Sequence, residues 1–220
     1  MRRLLISLAS STSPTSLAAF FRKRRFKHFR ELIAGIDEQP ITILDIGGWQ
    51  EFWEVMEFAE TPHQIILLNR YAVKTRHQNI SSVVGDARDL RAFADNSIDV
   101  VFSNSVIEHL GTFEDQRRMA NEVRRVGRRY FIQTPSFFFP LEPHFLFPFF
   151  HWLPIRLRIF LIRKFSLGFV AKKPSREDAL RTVSEYRLLT KSEMKILYPE
   201  ASIHLEKIIG FTKSYIAIRK

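Results

Sequence analysis

Apolar residues along this chain fall into short runs separated by polar turns, and the runs have two periods. Ile41–Ile46 (ITILDI) is a β-rich run that stops at Gly47-Gly48, and Gln64–Leu68 (QIILL) has the continuous apolar character of a strand buried on both faces. Ser82–Val84 starts a third strand that ends at Gly85-Asp86. Asp99–Phe102 is a fourth, preceded by the turn Asp95-Asn96, and Tyr130–Gln133 is a fifth, closed by Pro135. Helical spacing covers Gln50–Ala59 and then Thr112 to Val126, the second with a threonine cap and with Gly127 just past its end. Such alternation predicts an α/β fold, a doubly wound and mostly parallel sheet with helices on both faces. From Thr190 a Thr190-x-x-Glu193 capping box precedes a short helix ended by Pro199. Ile203–Ile209 and Tyr215–Ile218 then read as a C-terminal antiparallel β-hairpin around Gly210.

Two stretches stand apart from this pattern. Residues 1–40 read as a basic helical extension from about Thr15, with Ser13-Pro14-Thr15 supplying cap and first turn. Leu17, Phe20, Phe21, Phe29, Leu32 and Ile33 share one face, and Arg22, Lys23, Arg24, Arg25, Lys27 and Arg30 fill the rest. Residues 41–220 form the main domain, interrupted at about 136–185 by an insertion rich first in Phe and Pro and then in Arg and Lys.

Composition narrows the partners. The length of 220 residues suits one domain with a substantial core, and 34 Lys and Arg against 23 Asp and Glu leave a net charge of +11 that favours an anionic partner. The absence of cysteine excludes disulfides, zinc thiolates and cysteine nucleophiles and fits a cytoplasmic setting; no metal is expected. The most apolar stretch, Pro143–Ile155, is 13 residues long and carries three prolines, too short and too broken for a membrane span. The Arg-rich start is a minority candidate for a signal or transit peptide, because its apolar run is short and no clean cleavage signal follows.

The strand ends carry the candidate chemistry. In an open parallel sheet, ligands bind beyond the carboxyl ends of the strands. The first strand ends in Asp45 and the turn Gly47-Gly48, where backbone can approach a ligand closely. The second ends in Asn69, the third in Gly85-Asp86-Ala87, and the fourth in Ser103-Asn104-Ser105. Four consecutive polar ends point to one ligand crevice. The dinucleotide pattern G-x-G-x-x-G is not met.

Four segments, ILDIGG, VVGDARDL, FADNSIDVVFSNSVIEHL and YFIQTP, resemble the class I S-adenosylmethionine-dependent methyltransferases, in particular the small-molecule, type 11-like branch. The resemblance covers residues 41–135 and, more weakly, 187–220. It implies that Asp45, Gly47 and Gly48 shape the pocket for the methionine part of the cofactor. Asn69 stands where the family usually places an acidic residue on the ribose diol. Asp86 would meet the adenine amine with Ala87 against the ring, and Ser103 and Asn104 would line the cleft beside the sulfonium. Two departures are visible: Trp49 and Gln50 make the glycine loop bulkier, and the neutral Asn69 lacks the charge of a carboxylate.

Catalytic candidates are His109, in Glu108-His109 after the fourth strand, and His144, in Glu142-Pro143-His144 of the insertion. Glu142 and His144 are also the candidates for binding the acceptor. Many methyl transfers need only alignment, so a base is not obligatory. The expected reaction is O-methylation of a small or lipid-like acceptor. An RNA methyltransferase and a non-catalytic scaffold of the same fold stay open as alternatives. The Asn/Asp-Pro-Pro-aromatic pattern of base-methylating enzymes is replaced by Ser103-Asn104-Ser105-Val106, which argues against nucleic acid. The ten phenylalanines from Phe137 to Phe169, set beside Arg and Lys, read as a lid, a dimer surface or a contact with an anionic membrane. The oligomeric state is left open.

Overall fold

The computed structural model describes residues 17–220; the expected cap at Ser13-Pro14-Thr15 lies outside the described residues. Helix α1 spans Leu17–Ala34, β1 Thr42–Ile46, α2 Gln50–Val55, β2 Gln64–Asn69, β3 Ile80–Val84 and β4 Ile98–Asn104. A 3-10 turn at Ile107–Leu110 leads into α3, Phe113–Val126, and then β5, Gly127–Pro135. The insertion holds a two-stranded ribbon, β6 Leu141–Glu142 and β7 Phe147–Pro148, and helices α4, Ile155–Lys164, and α5, Arg176–Ser184. Helix α6, Lys191–Leu197, and the hairpin β8 Ser202–Ile208 and β9 Phe211–Arg219 complete the chain.

The seven-stranded sheet runs β3-β2-β1-β4-β5-β9-β8. The pairs among β1 to β5 are parallel, and β9 is antiparallel to both β5 and β8. Strand order reverses between β1 and β4, and this opens the crevice at their carboxyl ends. Neither crossover from β2 to β3 nor from β3 to β4 carries a helix, so the alternation read in the sequence holds at β1–α2–β2 and β4–α3–β5 and lapses between β2 and β4.

Alternation along the strands assigns each side chain to a face. Leu44, Ile46 and Val101 meet Met119, Ala120 and Val123 of α3 and Met194 of α6. On the opposite face Ile43, Val100 and Phe102 meet Phe26, Phe29, Leu32 and Ile33 of α1 and Trp53 of α2. Helix α1 is thus a layer of the core. Its buried stripe differs from the expected one at Phe20, which is exposed, and at Phe26, which is buried. The reason is register: Phe26 and Phe29 sit one turn apart and enter the aromatic cluster together, with ring centroids 5.1 Å apart.

Several boundaries follow from local chemistry. Thr112 caps α3 by accepting from the Asp115 N–H at 3.0 Å, and Thr190 and Glu193 form the reciprocal capping box of α6. Helix α2 ends at Val55, short of the expected Ala59, as the chain turns through Glu57 at φ 56.

Asp45 lies on the same face of β1 as Ile43, so its carboxyl enters the aromatic cluster. It is 1% exposed, and its Oδ2 accepts from the Trp53 indole N–H at 2.7 Å. Burial pushes its pKa up to about 8, against the opposing effect of the indole hydrogen bond. An unfolded Asp titrates near 3.9, so the folded chain holds this proton more tightly. The resulting stabilisation is complete below about pH 4 and drains as pH rises toward 8. Urea titrations should therefore show wild type losing stability relative to Asp45→Asn between pH 5 and about 8; a pH-independent difference would show that this carboxyl does not titrate there. Trp53→Phe removes the donor to a buried group and should cost about 1–3 kcal/mol in the same measurement.

Candidate functional site

The turn after β1 is held too tightly for side chains. Gly47 has φ +72 and donates its N–H to Leu68 O at 2.8 Å, and a Cβ there would sit 2.5 Å from Val106 Cγ2. A Cβ on Gly48 would sit 1.7 Å from Asp45 Oδ2. The glycine pair therefore lies directly over the buried carboxyl, with its backbone open to close approach. Asn69, buried at the end of β2, donates its Nδ2 to Gly48 O at 2.8 Å. A carboxylate has no proton to offer that carbonyl, and this gives a physical reason for the neutral residue. Asp45, Gly47, Gly48 and Asn69 thus form one unit. Trp49 and Tyr71, both exposed, bring their rings to 6.0 Å at the loops after β1 and β2. Tyr71 was missed in the sequence, where a single loop aromatic carries no periodic signal.

Asp86 is positioned differently. Arg88 donates to both its oxygens, Nε to Oδ1 at 2.9 Å and an outer nitrogen to Oδ2 at 2.6 Å. These bonds hold the Asp86 carboxyl down at about 2. Oδ1 also accepts the Arg88 backbone N–H at 2.9 Å, so Oδ2 is the oxygen that keeps a second lone pair for another donor. Ala87 beside it is buried in the core. A polar groove of about 750 Å³ runs past Asp86, Arg88, Arg118, Glu122 and Arg125, and among the cofactor candidates only Asp86 lines it.

At the end of β4, Ser103 is fully buried and Asn104 is anchored from outside the strand. Arg25 of α1 donates to Asn104 Oδ1 at 3.0 Å and pairs with Glu206 of β8 at 3.3 Å. Glu206 also receives Lys213 Nζ at 2.9 Å and Ser214 Oγ at 2.8 Å. In the sequence Arg25 is one of six cations outside the apolar face of the helix, and helical spacing alone does not separate it from its neighbours.

The second group of candidates converges beyond β4. Ser105, at φ 60, turns the chain in the left-handed region, with its N–H on Gln133 O at 3.0 Å and its Oγ on Gln133 Oε1 at 2.9 Å. The 3-10 turn that follows buries Glu108 completely. Glu108 Oε2 accepts from Thr134 Oγ1 at 3.0 Å, and Oε1 has no partner. Burial pushes this carboxyl up to about 7, opposed by His144. His109 packs edge-on against His144, with ring centroids 4.8 Å apart, and Tyr186 lies against both rings.

Glu142 is buried in the ribbon. It accepts from the His144 N–H and the Phe145 N–H at 2.7 Å each, and from His144 Nδ1 at 2.8 Å. His109 from the sheet and Glu142 and His144 from the insertion, two separate candidates in the sequence, are one cluster. Val106, which packs on Gly47, ties this cluster to the glycine turn.

Residues 52–130 match the family model described as a methyltransferase domain. Among solved structures, the CurJ carbon methyltransferase is 10% identical at a TM-score of 0.56, and the match covers 90% of this chain and 53% of that one. An S-adenosylmethionine-dependent methyltransferase from Methanosarcina mazei is 16% identical at a TM-score of 0.51, with 84% and 94% covered. No curated protein sequence matches the chain. Among the described residues, no helix is long and apolar enough to cross a membrane. The matched segment makes residues 52–130 similar to a methyltransferase domain, and the chain shares the fold of these solved structures.

Proposed function

We propose that this chain is a class I S-adenosylmethionine-dependent methyltransferase, that it acts on an oxygen of a small or lipid-like acceptor and that its insertion meets an anionic membrane surface. The observation that carries the reading is the adjacency of two groups: the glycine turn over Asp45, and the cluster of Glu108, His109, Glu142 and His144. A cradle that a Cβ would fill at both glycines fits the methionine part of the cofactor. When bound, the cofactor supplies a methyl group on a sulfonium. Asn69 holds Gly48 with its amide and turns its remaining oxygen to the ribose. Asp86 accepts the adenine amine on the Oδ2 lone pair that Arg88 leaves free, with Ala87 beneath the ring. Of the two candidates at the end of β4, Asn104 is the one placed to line the path between the two groups, because Ser103 is fully buried. A hydroxyl acceptor must lose its proton as the methyl arrives, and the imidazole–carboxylate cluster is the candidate to assist that loss.

The lipid-like character rests on the insertion. Phe145 and Phe150 stack at 4.0 Å in a small core with Ile162, Ala179 and Val183. Around it Phe138, Phe149, Trp152, Leu157, Phe160 and Phe165 are exposed. Arg156, Arg163, Lys164 and Lys172 are exposed on the same segment. Rings that enter the acyl boundary beside cations that meet head groups form an interfacial surface.

Calorimetry with S-adenosylhomocysteine should show binding by wild type. Because Asn69→Asp loses the donor to Gly48 and sets a charge against its carbonyl, the affinity should fall about fivefold to tenfold, with the circular dichroism spectrum unchanged. No binding by wild type at millimolar ligand would refute the cofactor assignment. The membrane contact has its own measurement. Wild type should co-sediment with anionic vesicles, and Phe149→Glu and Phe160→Glu should reduce this, as should added salt. Failure to bind any vesicle would leave the aromatic segment as a lid. Phe150 is unsuited to this test because it is 1% exposed and belongs to the inner core of the insertion.

A further inference from the structure

We infer that Glu108, His109 and His144 form a three-ligand site for a divalent first-row transition ion of the zinc, iron or manganese type. One ligand atom from each residue lies within 4.8 Å of the other two. Metal bonds of about 2.0–2.2 Å place tetrahedral neighbours about 3.4 Å apart, so the three groups need to close by up to about 1.4 Å. The sequence alone predicts no metal, and the absence of cysteine excludes only thiolate ligands.

Three features favour an ion over an ordinary buried cluster. Glu108 is fully buried with Oε2 fixed by Thr134, yet Oε1 has no donor. Buried acceptors are nearly always satisfied, and a cation would satisfy this one. His144 donates from Nδ1 to Glu142, which fixes the tautomer and leaves the Nε2 lone pair for a ligand bond. Glu142 itself is locked by two backbone N–H groups, so the imidazole cannot swing. A carboxylate behind a ligating histidine is the usual support of a metal-bound imidazole. Two imidazoles and one carboxylate, with no sulfur, suit these ions better than soft monovalent copper.

Three protein ligands leave a coordination position open. His109 is exposed, so that position can be reached from outside. Tyr186, whose ring touches both imidazoles, also lines a cavity of about 480 Å³ with Phe137, Arg158 and Arg187. The use of the ion rests on the oxygen-methylation reading, whereas binding of the ion does not. In that use the acceptor hydroxyl occupies the open position and loses its proton to water more readily. The O–CH₃ bond then forms as the S–CH₃ bond breaks, with the electron pair left on sulfur.

The test begins with full-length protein stripped by a chelator and dialysed. Zinc or manganese is then titrated by calorimetry, with ion content measured directly, and cobalt is added to look for visible ligand-field bands. The site requires one ion per chain. His144→Gln, His109→Gln and Glu108→Gln should each weaken binding at least tenfold. The outer-carboxylate variant Glu142→Gln should weaken it about tenfold. Thermal melts identify any variant that fails to fold, and exposed His109 supplies a ligand variant with little risk of that. Ion binding below one per chain, or binding that survives both His109→Gln and His144→Gln, overturns the site. S-adenosylhomocysteine binding is measured in parallel. Stoichiometric ion without cofactor binding upholds the site and removes the methyl-transfer use. Cofactor binding without the ion overturns the site alone.

Discussion

A carboxyl group placed in an aromatic core must find a donor, and the way Asp45 does so organises much of what surrounds it. Alternation along β1 directs Asp45 into the cluster of Phe26, Phe29, Trp53 and Phe102, where its carboxyl is buried. The Trp53 indole supplies the hydrogen bond, which fixes the position of α2 over the sheet. Residue 48 must then be glycine, because the carboxyl occupies the space of its Cβ. The loop so formed is bare backbone, pinned from one side by Asn69 and from the other by Leu68 O. The glycine turn, the candidate cofactor cradle, is thus a consequence of solving one buried-polar problem.

The same economy links parts of the chain that are remote in sequence. Arg25 on α1, Asn104 at the end of β4 and Glu206 on β8 meet at one point. Burial lowers the pKa of Arg25, while Glu206 and Glu108 oppose this as neighbouring negative charges. A guanidinium in this position satisfies the strand end, the hairpin and the carbonyl of Phe21 together. The basic helix therefore contributes to the cleft, and its charge is not all available to an outside partner. This weakens the inference from a net charge of +11 to nucleic acid.

The insertion is a small folded unit with a purpose at its inner edge. Stacked Phe145 and Phe150, with Ile162 and Val183, give it enough core to hold the β6–β7 ribbon in place. The ribbon fixes Glu142, and Glu142 fixes His144 against His109. Polar groups that must be aligned to within tenths of an ångström are thus supported by packed apolar side chains behind them. The exposed phenylalanines on the outer side belong to a different problem, that of what the insertion meets.

Residue patterns with a short period carried most of the architecture. The β-rich runs, the threonine caps at Thr112 and Thr190 and the final hairpin are decided by neighbours within a few positions, and such signals survive in one dimension. The motif segments likewise placed Asp45, Gly47 and Gly48 together, since a strand and its turn are contiguous. What needed the folded molecule was every relation across the sheet. That Asn69 donates to Gly48, that Arg88 occupies Asp86 and that Arg25 reaches Asn104 depend on register and helix docking. His109 and His144 meet only because Ser105 turns back and the ribbon returns over the strand ends. Phe20 and Phe26 exchange roles because a helix with aromatics on several faces takes its orientation from the partner that buries it. The sequence by itself determined which segments are strand, helix and turn, because hydrogen bonding and periodicity are local. Tertiary structure alone decided which polar groups are partners, because a buried donor or acceptor is satisfied by whatever the packing brings near.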